Sequence, residues 1–276
     1  MSDRFLYTIH LADNALILGQ RNAEWTGHGP VLEQDIAITN ISLDLLGQAR
    51  NFYQYAATLY KNFSEKEKAA ADRYVPALWK AYNRELQEDD LAFLRDEHQF
   101  LNLLITELPR GDWAQTVLRQ FFFSVYQFYL YGEMVNSQDP QLAAIAEKSL
   151  KEVAYHMKWS AEWVIRLGDG TPESFQRIKN ALADQWMFTG EMFTASSYEQ
   201  KALAEGFGID VAAMRENWLK KVEEVFTEAG LPSVTEGAST TKWTQTGGKE
   251  GRHTEYMGYL LAEMQHLQRA YPNATW

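Results

Sequence analysis

The chain has 276 residues, 46% of them apolar, a formal net charge of -11 and no cysteine. A large core can therefore be buried, while disulfides, thiolate metal sites and cysteine nucleophiles are excluded. The acidic balance argues against a nucleic-acid surface, where phosphates require Lys and Arg. The lack of an apolar run near 18 residues argues against a membrane span.

The N-terminus, Met1-Ser2-Asp3-Arg4-Phe5, has no basic region leading into an apolar stretch, so a cytoplasmic protein is expected. Residues 4–26 read as a first helix, broken by Gly27, Gly29 and Pro30. A second runs from Glu33 to Lys61, with Ile38, Ile41, Leu45, Ala49 and Phe52 stepping by three or four along one face. Ser64-Glu65-Lys66-Glu67 has capping-box spacing and opens a charged surface excursion over 64–88. A helix is expected over Asp89–Glu107 and another from Asp112 to Val135. Asp139-Pro140 and Thr171-Pro172 combine an N-cap with Pro at the first turn. Those helices are expected to reach Leu167 and Phe193. Asp210 caps a further helix ending near Gly230, 232–252 forms the only long irregular segment, and His253–Tyr271 forms the last helix. No internal linker divides the chain before residue 232. The expectation is one all-α domain over 1–276, a helical bundle with additional helices.

Large helical bundles can hold a carboxylate-bridged metal pair, using a Glu from each of two helices and Glu-x-x-His from each of two others. Residues three apart share a helix face, which is why that spacing serves one metal. Two matches occur, Glu250/His253 and Glu263/His266, thirteen residues apart. On one helix that separates them by about 19 Å, whereas paired metals lie about 3.5–4 Å apart. They cannot serve one centre. In the core helices, Asp44 is followed at the third position by Gly47. Asn14 stands on the first helix, Ser124 on the aromatic helix, and Glu152 is followed by His156 one step late. No shift of register recovers a ligand set. Asp44, Glu152 and His156 are expected to satisfy one another as polar core groups.

The blocks Gly27-His28-Gly29-Pro30, Asp44-Leu45-Leu46-Gly47-Gln48-Ala49-Arg50-Asn51, Leu94-Arg95-Asp96-Glu97, Asn102-Leu103-Leu104, Lys151-Glu152-Val153-Ala154-Tyr155-His156, Arg166-Leu167-Gly168-Asp169-Gly170-Thr171 and Gly247-Gly248-Lys249 keep their order along nearly the whole sequence. Together they resemble the PaaC-type subunits of bacterial ring-1,2-phenylacetyl-CoA epoxidases. The resemblance implies a ferritin-like four-helix bundle with additional helices. It implies a structural subunit without its own cofactor or catalytic residues, paired with a homologous catalytic subunit that carries a di-iron centre. It also implies a small bridging subunit and a transient reductase; a homo-oligomer is a further expectation, and neither nucleic acid nor membrane is an expected partner. The missing ligand set supports that role independently. The alternatives are an independent di-iron oxidase or oxygenase, and a free-standing ferritin-like binding or storage protein.

Two other features carry expectations. Gly247-Gly248-Lys249-Glu250-Gly251-Arg252-His253-Thr254 offers backbone amides and cations at a helix start. Lys249, Arg252, His253 and Glu255 are therefore candidates for contact with a phosphate-bearing ligand such as coenzyme A or with a partner subunit. The run Phe121-Phe122-Phe123 with Tyr126, Phe128, Tyr129 and Tyr131 covers most of a helix circumference. It must be buried on several sides, one of them expected against another subunit.

Overall fold

The structure is a computed structural model that describes residues 2–233, 243–272 and 274. Four long helices form the centre: α1 (Ser2–Ala23), α2 (Leu32–Lys61), α6 (Trp113–Met134) and α7 (Pro140–Gly168). Between them lie α3 (Glu65–Ala71), α4 (Glu88–Phe93) and α5 (Leu104–Glu107). After them come α8 (Pro172–Gln185), α9 (Ser197–Ala204), α10 (Arg215–Glu228), α11 (Glu255–Met264) and α12 (His266–Ala270). Among the described residues there is no strand. No helix is long and apolar enough to cross a membrane.

Cross-links fix the arrangement. Tyr53 bonds Asp13, and Thr26 meets Thr39, so α1 and α2 run antiparallel. Asn22 on α1 and Trp25 just past its end bond Gln120 and Thr116 on α6. Tyr55 bonds Asp139 at the start of α7, while Gln34, near the start of α2, accepts from Trp159 and Trp163 farther along α7. The core between the four helices is fully buried, with Leu45, Phe52, Phe121, Val125, Val153 and Val164 at 0% exposure. This is the ferritin-like bundle the resemblance implied.

Local signals predict starts better than ends. Ser64, Asp112, Asp139 and Thr171 each cap the helix they precede. Asp210 accepts from the amides of Ala212 and Ala213 in a turn just before α10. The expected helix over Asp89–Glu107 is two short ones, with a bent segment between them. There the backbone amides of Leu101, Leu103 and Leu104 are taken by Asp13, Asn14 and Glu191, so no helical carbonyl receives them. The expected 172–193 helix stops at Gln185 and continues as two 3-10 turns. The last helix breaks at Gln265, whose side chain bonds the Arg95 carbonyl. Helix α9, opened by a Ser196 capping box, is not foreseen by the sequence reading. The segment 232–252 is thus not the only irregular one, and 234–242 lie outside the described residues.

The aromatic run on α6 is covered largely by the chain itself. Phe122 packs against Trp186, Trp218 and Phe226, and Tyr126 against Phe193. Of the run, Phe128 and Tyr129 are the half-buried members.

Candidate functional site

Asp44, Glu152 and His156, singled out in the core helices, form a polar seam between α2 and α7. Asp44 Oδ2 lies 3.0 Å from His156 Nε2. One helical turn on, Gln48 donates to Glu152 over 3.0 Å and accepts from Gln127 and Tyr131 of α6 at 3.3 and 3.4 Å. Asp44 is 36% exposed at its side chain, while His156 is fully covered. Ser124 accepts from Gln120, which in turn accepts from Asn22. Gly47 points to solvent, and an added Cβ would meet nothing within 4 Å. The inward position beside Asp44 belongs to Gln48.

Asn14 does not join that seam. Its oxygen accepts from the Leu103 amide at 2.7 Å, and its nitrogen lies 3.3 Å from His10 Nε2. His10 Nδ1 faces the Leu101 carbonyl and therefore donates to it. Burial, aided by Lys249, holds His10 below its usual pKa despite the nearby carboxylates, so its Nε2 is an acceptor. Asn14 thus gives one hydrogen bond and takes another. A carboxylate there could not give.

The fully buried charge lies elsewhere, on the outer side of α1. Four carboxylates, Asp13, Glu107, Glu191 and Glu199, are each 2% exposed or less. Asp13 is bound by Arg95, Tyr53 and the Leu101 amide. Arg95 also stacks on Phe100, 4.1 Å from its ring centre. Glu107 accepts from Asn102 at 2.9 Å, from His253 at 2.7 Å and from the Thr254 amide. Glu191 accepts from the amides of Leu104, Gly247 and Gly248 at 2.7–2.8 Å. Glu199 meets Lys249 Nζ at 2.9 Å through both oxygens and accepts from the Ser196 amide.

These carboxylates hold irregular backbone. Each carboxylate takes at least one amide that no helix serves, and together they hold 100–104 and 247–254 in place. Gly248 is required for that approach, since a Cβ there would stand 2.1 Å from the Asn102 carbonyl. Gly251, at φ +77°, passes His98 as closely. Burial alone raises a carboxyl pKa. At Glu191 it prevails over the amides and Lys249, and the pKa is raised. At Glu199 Lys249, His10 and the Ser196 amide outweigh burial, and the pKa is lowered. Burial likewise pulls His253 down, but the Glu107 contact and the Phe100 carbonyl outweigh it, so its pKa is raised. Both ring nitrogens face acceptors, which suits imidazolium.

Of the four residues singled out near the C-terminus, the structure turns Lys249 and His253 inward and leaves Arg252 and Glu255 on the surface. Glu250 pairs with Arg252, while Glu263 and His266 are exposed, so neither Glu-x-x-His pair converges on a common point. Among the described residues no three His, Cys, Asp or Glu side chains are grouped to hold a metal ion. The seam's donor set, one Asp, one Glu and one His with glutamines, does not fit a carboxylate-bridged iron pair. The sequence reading overlooked Gln48 and the buried carboxylates. A sequence signal for Asp13 existed: a charge among the apolar residues Leu11, Ala12, Ala15 and Leu16 of α1.

Fold and seam together define a ferritin-like helical bundle whose central polar positions are closed by side-chain pairs. The sequence profile described as Phenylacetic acid catabolic protein matches residues 2–276, and the chain belongs to that family. A relative from Escherichia coli (strain K12), the C subunit of 1,2-phenylacetyl-CoA epoxidase, is 42% identical over 276 residues, covering all of both chains.

Proposed function

We propose that this chain is the non-catalytic, structural subunit of a phenylacetyl-CoA epoxidase in aerobic phenylacetate degradation. It binds and stabilises a homologous catalytic subunit that carries the di-iron centre, and has no catalytic residues or cofactor of its own. One observation carries the reading. At the bundle's central positions Asp44 is paired with His156 and Glu152 with Gln48, with no third acidic or imidazole donor beside either pair among the described residues. The full-length likeness to an epoxidase subunit supplies the pathway.

A partner that binds only the folded catalytic chain stabilises it, and the stabilisation grows with the logarithm of the partner's concentration over its Kd. The reading is tested by expressing the chain alone in iron-replete medium, measuring iron, and mixing it with the catalytic subunit. Well under one iron per chain and a stable stoichiometric complex are expected. Two irons per chain with oxidase activity overturn the reading in favour of an independent di-iron enzyme.

A further inference from the structure

One buried cation on α6 has no counter-charge bonded to it. Arg119 is at 0% exposure and holds the crossing from α5 to α6. Its Nη1 donates to the carbonyls of Leu108 and Pro109, at 2.5 and 2.9 Å. Its Nε and Nη2 are buried and have no partner among the described residues. In a planar guanidinium those two N–H bonds run side by side along one edge, the fork that elsewhere grips a carboxylate. The idle donors are therefore a matched pair aimed the same way. Arg95, the other guanidinium at 0% exposure, leaves no nitrogen idle: Nε, Nη1 and Nη2 go to Leu91, Gln99, Asp13 and Tyr53.

The neighbours do not neutralise Arg119. Arg21 reaches the same crossing from α1, donating to the Glu107 carbonyl at 3.0 Å. Glu24, the carboxylate that acts on Arg119, is already bonded to Arg21 at 2.7 Å. Burial first, and Arg21 second, pull the Arg119 pKa down to about 9, against the weaker opposing effect of Glu24. The group is still a cation at neutral pH. A water molecule accepts hydrogen bonds but brings no charge, and a buried unpaired charge is strongly destabilising. An anion answers both needs. Full enclosure of the edge favours a single-atom ion, since the outer oxygens of a carboxylate or phosphate require further donors.

We infer that the Nε–Nη2 edge of Arg119 binds a small monovalent anion of the halide class, chloride in ordinary solution. The ion completes the hydrogen bonds of the guanidinium and neutralises it where it clamps Leu108 and Pro109. That crossing follows directly on Glu107, which holds His253 and the Thr254 amide, so the site steadies the support of the segment before α11.

Crystals of the full chain soaked in bromide give the direct test, because bromide replaces chloride and scatters anomalously. An anomalous peak shared by Arg119 Nε and Nη2 is expected. Density there without anomalous signal is water and overturns the inference. Signal confined to exposed Lys and Arg side chains means an adventitious ion only and overturns it equally. In solution, exchanging gluconate for chloride at constant ionic strength should raise the parent's Tm saturably, by about 2–4 °C. Arg119→Met should show no such gain; an equal gain in the variant places the effect at another site and overturns the inference. A peak in the crystal with no gain for the parent in solution means binding at crystal concentration only, and also overturns it. Should Arg119→Met fail to fold, the bromide map and the parent's chloride response decide together.

Discussion

Two regions of this molecule use the same residue types for different ends. The α2–α7 seam holds Asp44, Glu152 and His156 in pairs, near enough to the surface that Asp44 remains partly wet. The cluster outside α1 holds Asp13, Glu107, Glu191 and Glu199 in full burial, each bound by at least one backbone amide. Carboxylates that bind metal keep lone pairs for it, even where an outer donor orients them. Where they support backbone, the oxygens are consumed. By that standard the buried cluster is structural, whereas the seam pairs each of its carboxylates with a single side chain and leaves Asp44 partly exposed.

The difference is sharpest in stability. Asp13→Asn removes the carboxylate facing the buried Arg95 guanidinium and leaves its charge uncompensated, a loss of about 3–5 kcal/mol. Asp44→Asn in the seam loses under about 1 kcal/mol, because a partly exposed pair gains little. Urea unfolding of both variants checks the ranking; equal losses would dissolve the distinction between the regions.

Lys249→Met tests the cluster from its cationic side. It strips Glu199 of its counter-ion and is expected to lose about 2–4 kcal/mol at pH 7. In the native chain the Glu199 pKa is lowered, so its contribution is present at neutral pH and lost as pH falls through that value. Without Lys249, burial raises it, and the variant gains stability on mild acidification instead. Adding Glu199→Gln should recover most of the loss. A variant whose stability falls with pH in parallel with the parent's would show that Lys249 is not the controlling charge.

His253 offers a smaller effect with a defined sign. Its pKa is raised in the folded state, so its stabilisation is fully present below the unfolded value near 6.5 and fades as pH rises through the folded one. His253→Asn should therefore lose about 1–2 kcal/mol at pH 6 and clearly less at pH 9, read from paired unfolding curves.

The helical scaffold was legible because its information is local. Caps at Ser64, Asp112, Asp139 and Thr171 and the apolar period of α2 are written within a few residues. The bend at 94–103 was not, since its cause is Asp13 and Asn14, almost ninety residues upstream. For the same reason Lys249 and His253 read as ligand-facing. A Gly-rich lead-in with cations has the composition of an anion site, and only the fold reveals that Glu191, Glu199 and Glu107 occupy it. The sequence has Asp44, Glu152 and His156 satisfying one another; the structure pairs Asp44 with His156 but gives Glu152 to Gln48, because Gln48 and not Gly47, one residue out of phase, is the inward position.

The smallest expected effect probes whether the seam can be turned toward metal binding. Gln48→Glu replaces the donor facing Glu152 with a second carboxylate, one helical turn from Asp44 and His156. Gln127 and Tyr131 still donate to the new group, so repulsion should lower stability by only about 1 kcal/mol, a shift in Tm of about 2–4 °C. The altered seam then holds three carboxylates and an imidazole along adjoining turns, a donor set suited to a divalent cation. Adding Mn²⁺ or Zn²⁺ should restore the lost degrees in the variant, and the parent's Tm should stay fixed. The buried cluster allows no such conversion, because Arg95, Lys249 and the backbone amides already fill its oxygens. A parent chain that gains as much from the metal as the variant would mean that Asp44, Glu152 and His156 suffice without the added ligand.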